Sequence, residues 1–410
     1  MVGNVSAPLH LAVAFDGAGW HPAAWREPEA RPADLLSAGY WVDLAREAEA
    51  GLLDFLTIED AVGLQTSDFD RQDDRVDQVR GRLDAVLIAA RVAPLTRHVG
   101  LVPTATVTHT EPFHLSKAIA TLDYVSTGRG GLRVQVSGRA HEAAHFGRRT
   151  IPQFRYEDVR ALNEKRSTEL TAVFTDLFDE AADYVEVLRR LWDSWEDDAE
   201  IRDAATGRFV DRDKLHYIDF TGRFFDVKGP SITPRPPQGQ PLVTALAHAT
   251  IPYRLGARSA DVVYVTPHDA ESARAILAEV RAEQEAAGRA DETVHVFADL
   301  VVFLDENAAA AAERKARLDE KAGEDYTSDA LVFTGTPSGL ADLLQEWQAA
   351  GLSGFRLRPG VLPTDLTAIS RGLVPELQQR DAFRRAYEAT TLRGLLGLPR
   401  PANRYAEAAS

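Results

Sequence analysis

Eight times along this chain a short run of β-forming residues is followed by a longer stretch in which apolar residues recur every three or four positions. That alternation restricts the fold more than any other feature, because it is the mark of βα units around a parallel sheet. The expected strands cover residues 9–15, 55–59, 99–107, 132–137, 241–247, 261–266, 294–304 and 354–358. Between them, residues 34–50 place Leu36, Tyr40, Leu44, Ala45 and Ala48 on one helical face, with Gly51 set to end the helix. Further helices are expected over 83–93, 112–125, 180–195, 270–287, 308–321 and 340–350. Eight units without linker-like composition predict one α/β domain over residues 1–410, a TIM (β/α)8 barrel, in preference to two doubly wound sheets. The rhythm breaks twice. Residues 138–240, after strand four, form an insertion carrying the helix 180–195, and residues 321–336, after strand seven, read as a mobile loop.

Composition narrows the chemistry. The chain has no cysteine, which excludes thiol catalysis, thiolate metal sites and disulfide stapling. Its formal charge of −16 argues against nucleic acid or an anionic membrane as main partner. No stretch reaches the roughly 18 apolar residues of a membrane span, and the N-terminus lacks a basic segment before an apolar run, so a cytoplasmic protein is expected.

In a barrel, position ranks candidates before residue type does, since function concentrates at strand C-termini. Strand one ends at Asp16 and runs into His21, Trp25 and Arg26; strand two ends in Glu59 and Asp60; strand three carries Thr104, Thr106, Thr108, His109 and Glu111. Asp60 suits an acid or base, an acceptor for a ligand ring, or a helix cap. The threonines have period two, which puts their hydroxyls on one face of the strand, at the barrel mouth or simply as β-formers. His21 and His109 are the expected proton donors or bases, with loop histidines satisfied by backbone as the plain alternative. His141 and His145 have the spacing of a helical ligand pair, but no HEXXH or HXH accompanies them and no metal is predicted. Gly17-Ala18-Gly19 lacks the third glycine of a dinucleotide fingerprint, and neither GxxxxGK[ST] nor GxSxG occurs.

Several stretches, in order and over nearly the whole chain, resemble the bacterial luciferase-like flavin monooxygenases, in the branch of nitrilotriacetate monooxygenase, dibenzothiophene-sulfone monooxygenase and the pristinamycin synthase large subunit. They are HPAAWR (21–26), LDFLTIEDA (53–61), EPFHLSKAIATLDYVSTGRGG (111–131), YVEVLRRLWDSWEDDA (184–199), KLHYIDFTGRFFDVKGPSITPRPPQGQP (214–241), VPELQQR (374–380) and TLRGLLGLPRP (391–401). The resemblance implies a homodimer or homotetramer that takes reduced FMN from a separate flavin reductase and uses it with O2 on a small-molecule substrate. It further implies that Asp60, Thr104, Thr106 and Ser137 contact the flavin.

The departures are as specific as the matches. Relatives have Trp-Asn-Val-Val-Thr-Ser where this chain has Leu132, Arg133, Val134, Gln135, Val136, Ser137, so a bulky cation replaces an asparagine under the flavin. The His-x-x-Arg-Tyr that follows is met only in part, by Arg155-Tyr156 with Pro152 at the histidine position; an alternative alignment puts Phe178 at the tyrosine and makes 157–178 an insertion. The phosphate-binding Gln-Ala-Gly-x-Ser-x-x-Gly becomes Ala245 to Pro252, leaving Thr250 and His248 as substitutes for the lost serine and glycine. A buried Arg133 must be paired, with Glu59 or Asp60 the expected partners, and either fills flavin space or receives an anionic group; the plain alternative is an outward or displaced side chain. Three functions therefore stand open: an FMN-dependent monooxygenase, a relative that has lost flavin and acts without it, and a non-catalytic ligand-binding or partner subunit. Trp192 and Trp195, with Leu191, read as core or dimer packing.

Overall fold

A computed structural model describes residues 9–66, 73–154 and 168–406. Eight parallel strands close into a barrel: β1 (His10–Phe15), β2 (Phe55–Ile58), β3 (Gly100–Thr106), β4 (Gly131–Gln135), β5 (Leu242–Leu246), β6 (Val262–Val265), β7 (His295–Leu304) and, after one further strand β8 (Leu331–Gly335), β9 (Gly354–Pro359). β9 pairs with both β1 and β7, which removes every edge from the barrel wall. The expected strands all form, each within two residues of its expected ends at either side.

Residues 321–336 differ from the sequence expectation. Instead of being loop throughout, they contain β8, whose Leu331–Gly335 pairs in parallel with Leu300–Leu304 of β7. The reason lies in the length of β7. Its ten buried residues outrun their neighbours, pairing with β6 over 295–298 and with β9 over 297–302, so residues 300–304 still have ladder groups to satisfy and Leu331, Val332 and Phe333 supply a β-forming partner. The insertion after β4 holds the short helix Ala140–Ala144, the helix Thr168–Asp193 and two small antiparallel pairs, Glu200–Asp203 with Arg208–Val210 and Phe220–Thr221 with Asp226–Val227. Trp192 is buried in a cluster with Leu115, Ile119 and Leu188, so it serves the core, and its indole N–H donates to Ser116 O at 3.0 Å.

Side chains inside the barrel change character along the axis. At the N-terminal end, Phe55, Val102, Leu242, Val262 and Phe297 pack with Leu392 and Leu396 of the C-terminal segment, which plugs the barrel floor. Two residues further along the same inward faces the side chains become Thr57, Thr104, Thr244, Tyr264 and Asp299, joined by Arg133 and Arg356. The floor gives stability and the charged layer above it faces the mouth. Gly17 and Gly19, after β1, have φ of +50° and +128°, and a Cβ on Gly19 would strike the Gly360 carbonyl. These glycines let the loops after β1 and β9 touch, with Leu362 N–H donating to Ala18 O at 2.7 Å.

Candidate active site

Cross-strand register builds the wall of the mouth. Arg133 and Gln135 on β4 stand opposite Thr104 and Thr106 on β3. Arg133 Nη1 donates to Thr104 Oγ1 at 3.0 Å, Gln135 Nε2 to Thr106 Oγ1 at 3.3 Å, and one step beyond the strands Ser137 N–H donates to Thr108 Oγ1 at 2.8 Å. The period-two threonine row thus meets a period-two polar row on the next strand, and all three threonines are buried.

From Arg133 a chain of charges crosses the barrel. Arg133 Nη1 donates to Glu59 Oε2 at 2.7 Å; Arg356 Nη1 donates to Glu59 Oε1 at 3.0 Å and its Nε to Asp299 at 2.8 Å. Arg358 reaches Asp299 through Nε at 2.9 Å and Asp329 through Nη1 at 2.7 Å, while Asp329 lies 3.4 Å from His248 Nε2. Burial alone would raise the Glu59 carboxyl, but Arg133 and Arg356 beside it hold it below the usual carboxylate range, and the same holds for Asp299 between Arg356 and Arg358. Arg356 also stacks 4.3 Å from the Tyr264 ring centroid. The expected pairing of Arg133 with Glu59 is observed. Asp60 instead accepts from Ala61 N–H at 2.7 Å and from Ala85 N–H at 2.9 Å, at the start of the helix Ala85–Val92, whose N-cap is Asp84; burial raises the Asp60 pKa.

Three adjoining hollows open at the strand C-termini. The first, about 390 Å³, lies beside β1 and is lined by Asp16, His21, Gln78, Arg82 and Tyr326 among others. The second, about 300 Å³, is lined by Leu35, Trp41, Val79 and Leu83 together with Asp16, Glu59 and Arg82. The third, about 340 Å³, lies beside β4 and is lined by Glu59, Asp60, Arg133, Ser137, Arg139 and His248. Arg82 borders all three, held across the Asp16 carboxylate by Nη2 at 2.6 Å and Nε at 3.2 Å. Hollows of this size fall in the range of small-molecule sites.

Residues 18–319 match the family model described as luciferase-like monooxygenase. The chain belongs to that family. This luciferase-like monooxygenase is 28% identical to N-acetyl-S-(2-succino)cysteine monooxygenase of Bacillus subtilis (strain 168), over 97% of this chain and 98% of that protein. It is also 28% identical to nitrilotriacetate monooxygenase component A of Aminobacter aminovorans, again over 97% and 98%. Among solved structures, its fold is shared with long-chain alkane monooxygenase (TM-score 0.82, 24% identity, 95% and 96% coverage). It is shared too with a riboflavin lyase described with modified FMN and riboflavin (TM-score 0.79, 24% identity, 95% and 96% coverage). The protein is an enzyme, and the relatives that it matches over nearly their full length are named monooxygenases.

The luciferase-like monooxygenase brings only some of the expected site residues together. Asp60, Arg133 and Ser137 line the β4-side hollow, and Thr104 and Thr106 stand behind it as acceptors for Arg133 and Gln135. Ser137 Oγ donates to Glu142 Oε2 at 2.6 Å. Thr250 is exposed at the start of the helix Thr250–Ser259, and its hydroxyl donates to Glu279 Oε1 at 2.6 Å. Tyr156 and Arg155 lie outside the described residues. His21 lines the β1-side hollow with both ring nitrogens occupied: Nδ1 accepts from Ala23 N–H at 3.1 Å and Nε2 bonds Asp319 at 2.9 Å. Burial lowers its pKa against the opposing pull of Asp319. His109 is stacked on Phe146 and lines a separate hollow with Arg149 and Glu180, so the two histidines do not share a site.

Sequence reasoning passed over Arg82, Asp299, Arg356 and Arg358. Signals for three of them were present: a lone Asp299 inside the apolar run HVFADLVVFL, and Arg356 and Arg358 alternating in GFRLRP. Arg82 carries no such mark, since it sits in an irregular segment.

Proposed function

We propose that this enzyme uses reduced FMN, delivered by a separate flavin reductase, and O2 to oxygenate a small anionic organic substrate, as a cytoplasmic homodimer or homotetramer. The observation that carries the reading is the mouth itself: a hollow lined by three arginines, Arg82, Arg133 and Arg139, with Glu59, Asp60 and Glu142, adjoins a second one through the shared Arg82 and Glu59. The donor set suits a flavin at its ring end, because Arg133, on one wall of a hollow of about 340 Å³, keeps Nε–H without a partner. The phosphate end falls to Arg139 in this reading, because Thr250 is engaged by Glu279 and Pro252 has no N–H to give. What the bound cofactor supplies is the two electrons that let one oxygen atom of O2 enter the substrate while the other leaves as water.

The chain's own residues do the rest. Leu35, Trp41, Val79 and Leu83 keep water from the reacting region, and the Arg82–Asp16 pair fixes the junction between the hollows. Tyr326 presents a phenol that burial holds protonated, its ring centroid 5.1 Å from that of His21, and is a hydrogen-bond donor of the β1-side hollow. His21 is a positioning residue that fixes Asp319, which in turn accepts from Tyr326 N–H at 3.0 Å. An anionic substrate accords with the two relatives named for nitrilotriacetate and for N-acetyl-S-(2-succino)cysteine.

The test is a coupled assay with NADH, a flavin reductase, FMN and these two carboxylates as first substrates, using isotope-labelled O2. Incorporation of one labelled oxygen atom that depends on FMN supports the reading. Protein that binds FMN in neither redox state refutes it.

A further inference from the structure

Of the arginines that border or underlie the mouth, three use their guanidinium in the same way. Arg82 lays its Nε/Nη2 edge on Asp16, and Arg356 and Arg358 each lay the same edge on Asp299. Arg133 differs. All three of its protein hydrogen bonds, to Glu59, Thr104 and Gln135, leave from Nη1. Among the described residues Nε is buried without a hydrogen-bond partner, Nη2 makes no hydrogen bond, and the residue, 5% exposed, lines the β4-side hollow. The Nε/Nη2 edge is the one whose two parallel N–H groups match a carboxylate.

The chain of charges ends in this guanidinium. Arg133, Arg356 and Arg358 are buried against Glu59 and Asp299, while a third carboxylate, Asp329, stands 43% exposed beyond Arg358 at the far end. Glu59 divides its two oxygens between Arg133 Nη1 and Arg356 Nη1, and Asp60, Glu142, Arg82 and Arg139 line the same hollow.

We propose that Arg133 is a specificity-determining anion receptor whose free Nε/Nη2 edge takes the planar, two-acceptor end of the ligand in the β4-side hollow. The assignment rests on the proposed use of that hollow, and the group it recognises has two sources: a carboxylate of the substrate, or the N1/C2=O edge of the reduced, anionic flavin ring. Both present paired acceptors with negative charge.

The experiment uses the full chain as wild type, Arg133→Gln and Arg133→Lys, with reduced FMN, oxidised FMN and citrate as calorimetric probes under anaerobic conditions. Both variants are expected to lose about tenfold or more in affinity for one probe, because lysine keeps the charge but has no paired edge. If the flavin is the source, reduced FMN is weakened more than oxidised FMN, the bound midpoint potential moves to more negative values, and citrate is unaffected. If a carboxylate is the source, citrate is weakened and FMN keeps its affinity in both states. Arg133→Gln leaves Glu59 its bond to Arg356, and far-UV circular dichroism with a urea midpoint confirms that each variant is folded. Affinities within about twofold of wild type for all probes, or an Arg133→Lys protein equal to wild type, overturn the proposal. Wild-type protein that binds citrate but FMN in neither state defeats the flavin reading alone, while the citrate comparison still judges Arg133. Wild-type protein that binds neither defeats both.

Discussion

His295 ties the barrel floor to the C-terminal segment and makes the fold sensitive to acid. Its ring is 9% exposed, Nε2–H donates to Leu396 O at 2.9 Å, and the His10 ring meets it edge-on at 5.2 Å. Burial, reinforced by the charge of His10, pushes its pKa down to about 4 from the ordinary 6.5. The sign follows from where protons bind. An unfolded chain takes up this proton near pH 6.5, the folded one only near pH 4, so between those values acid favours unfolding, and below the lower value no further loss arises from this group. A gap of about 2.5 pH units at about 1.36 kcal/mol each corresponds to about 3 kcal/mol. The assay is urea unfolding of wild type and His295→Gln at about pH 7 and about pH 4, where other titrating groups cancel in the comparison. Wild type is expected to be the more stable protein at neutral pH and to lose that lead, by about 3 kcal/mol, on acidification. Stability profiles that run parallel within about 1 kcal/mol would show that His295 is not held neutral by the floor.

Two further outcomes test the mouth. Asp299→Asn leaves Arg356 and Arg358 without their shared carboxylate in a fully buried position, and should cost about 3–5 kcal/mol in urea unfolding, whereas a loss below about 1 kcal/mol would mean the cluster rearranges freely. His21→Ala removes the contacts to Asp319 and Ala23, so the thermal midpoint should fall together with activity; lost turnover at an unchanged midpoint would make His21 a catalytic residue and not a positioning one.

The barrel was legible because its signals are local. Residues 294–304 read as a strand from their unbroken run of apolar and β-branched side chains, and the threonine row at 104, 106 and 108 declared a shared face from spacing alone. β8 was missed for the opposite reason. LVFTG is short, follows a charged and polar stretch, and becomes a strand only because the overlong β7 offers it ladder groups. Thr250 aligned with a phosphate-binding position, yet its neighbour Glu279 on the following helix, 29 residues away in sequence, claims the hydroxyl.

What the sequence determined by itself is the direction in which each side chain points, since backbone pleating and helical pitch set that within a few residues. Arg133, Asp299, Arg356 and Arg358 had to face inward once their strands were in place. Which of them would meet was decided only by closure of the barrel. Arg133 finds Glu59 across 74 residues and Arg356 finds it across 297, because parallel register and strand tilt bring β2, β4 and β9 to one level inside the barrel. The same closure decided that one arginine edge would be left over. Three guanidiniums share Glu59 and Asp299 in a space where Coulomb attraction is strong and water is scarce, and Arg133 Nε is left without a partner.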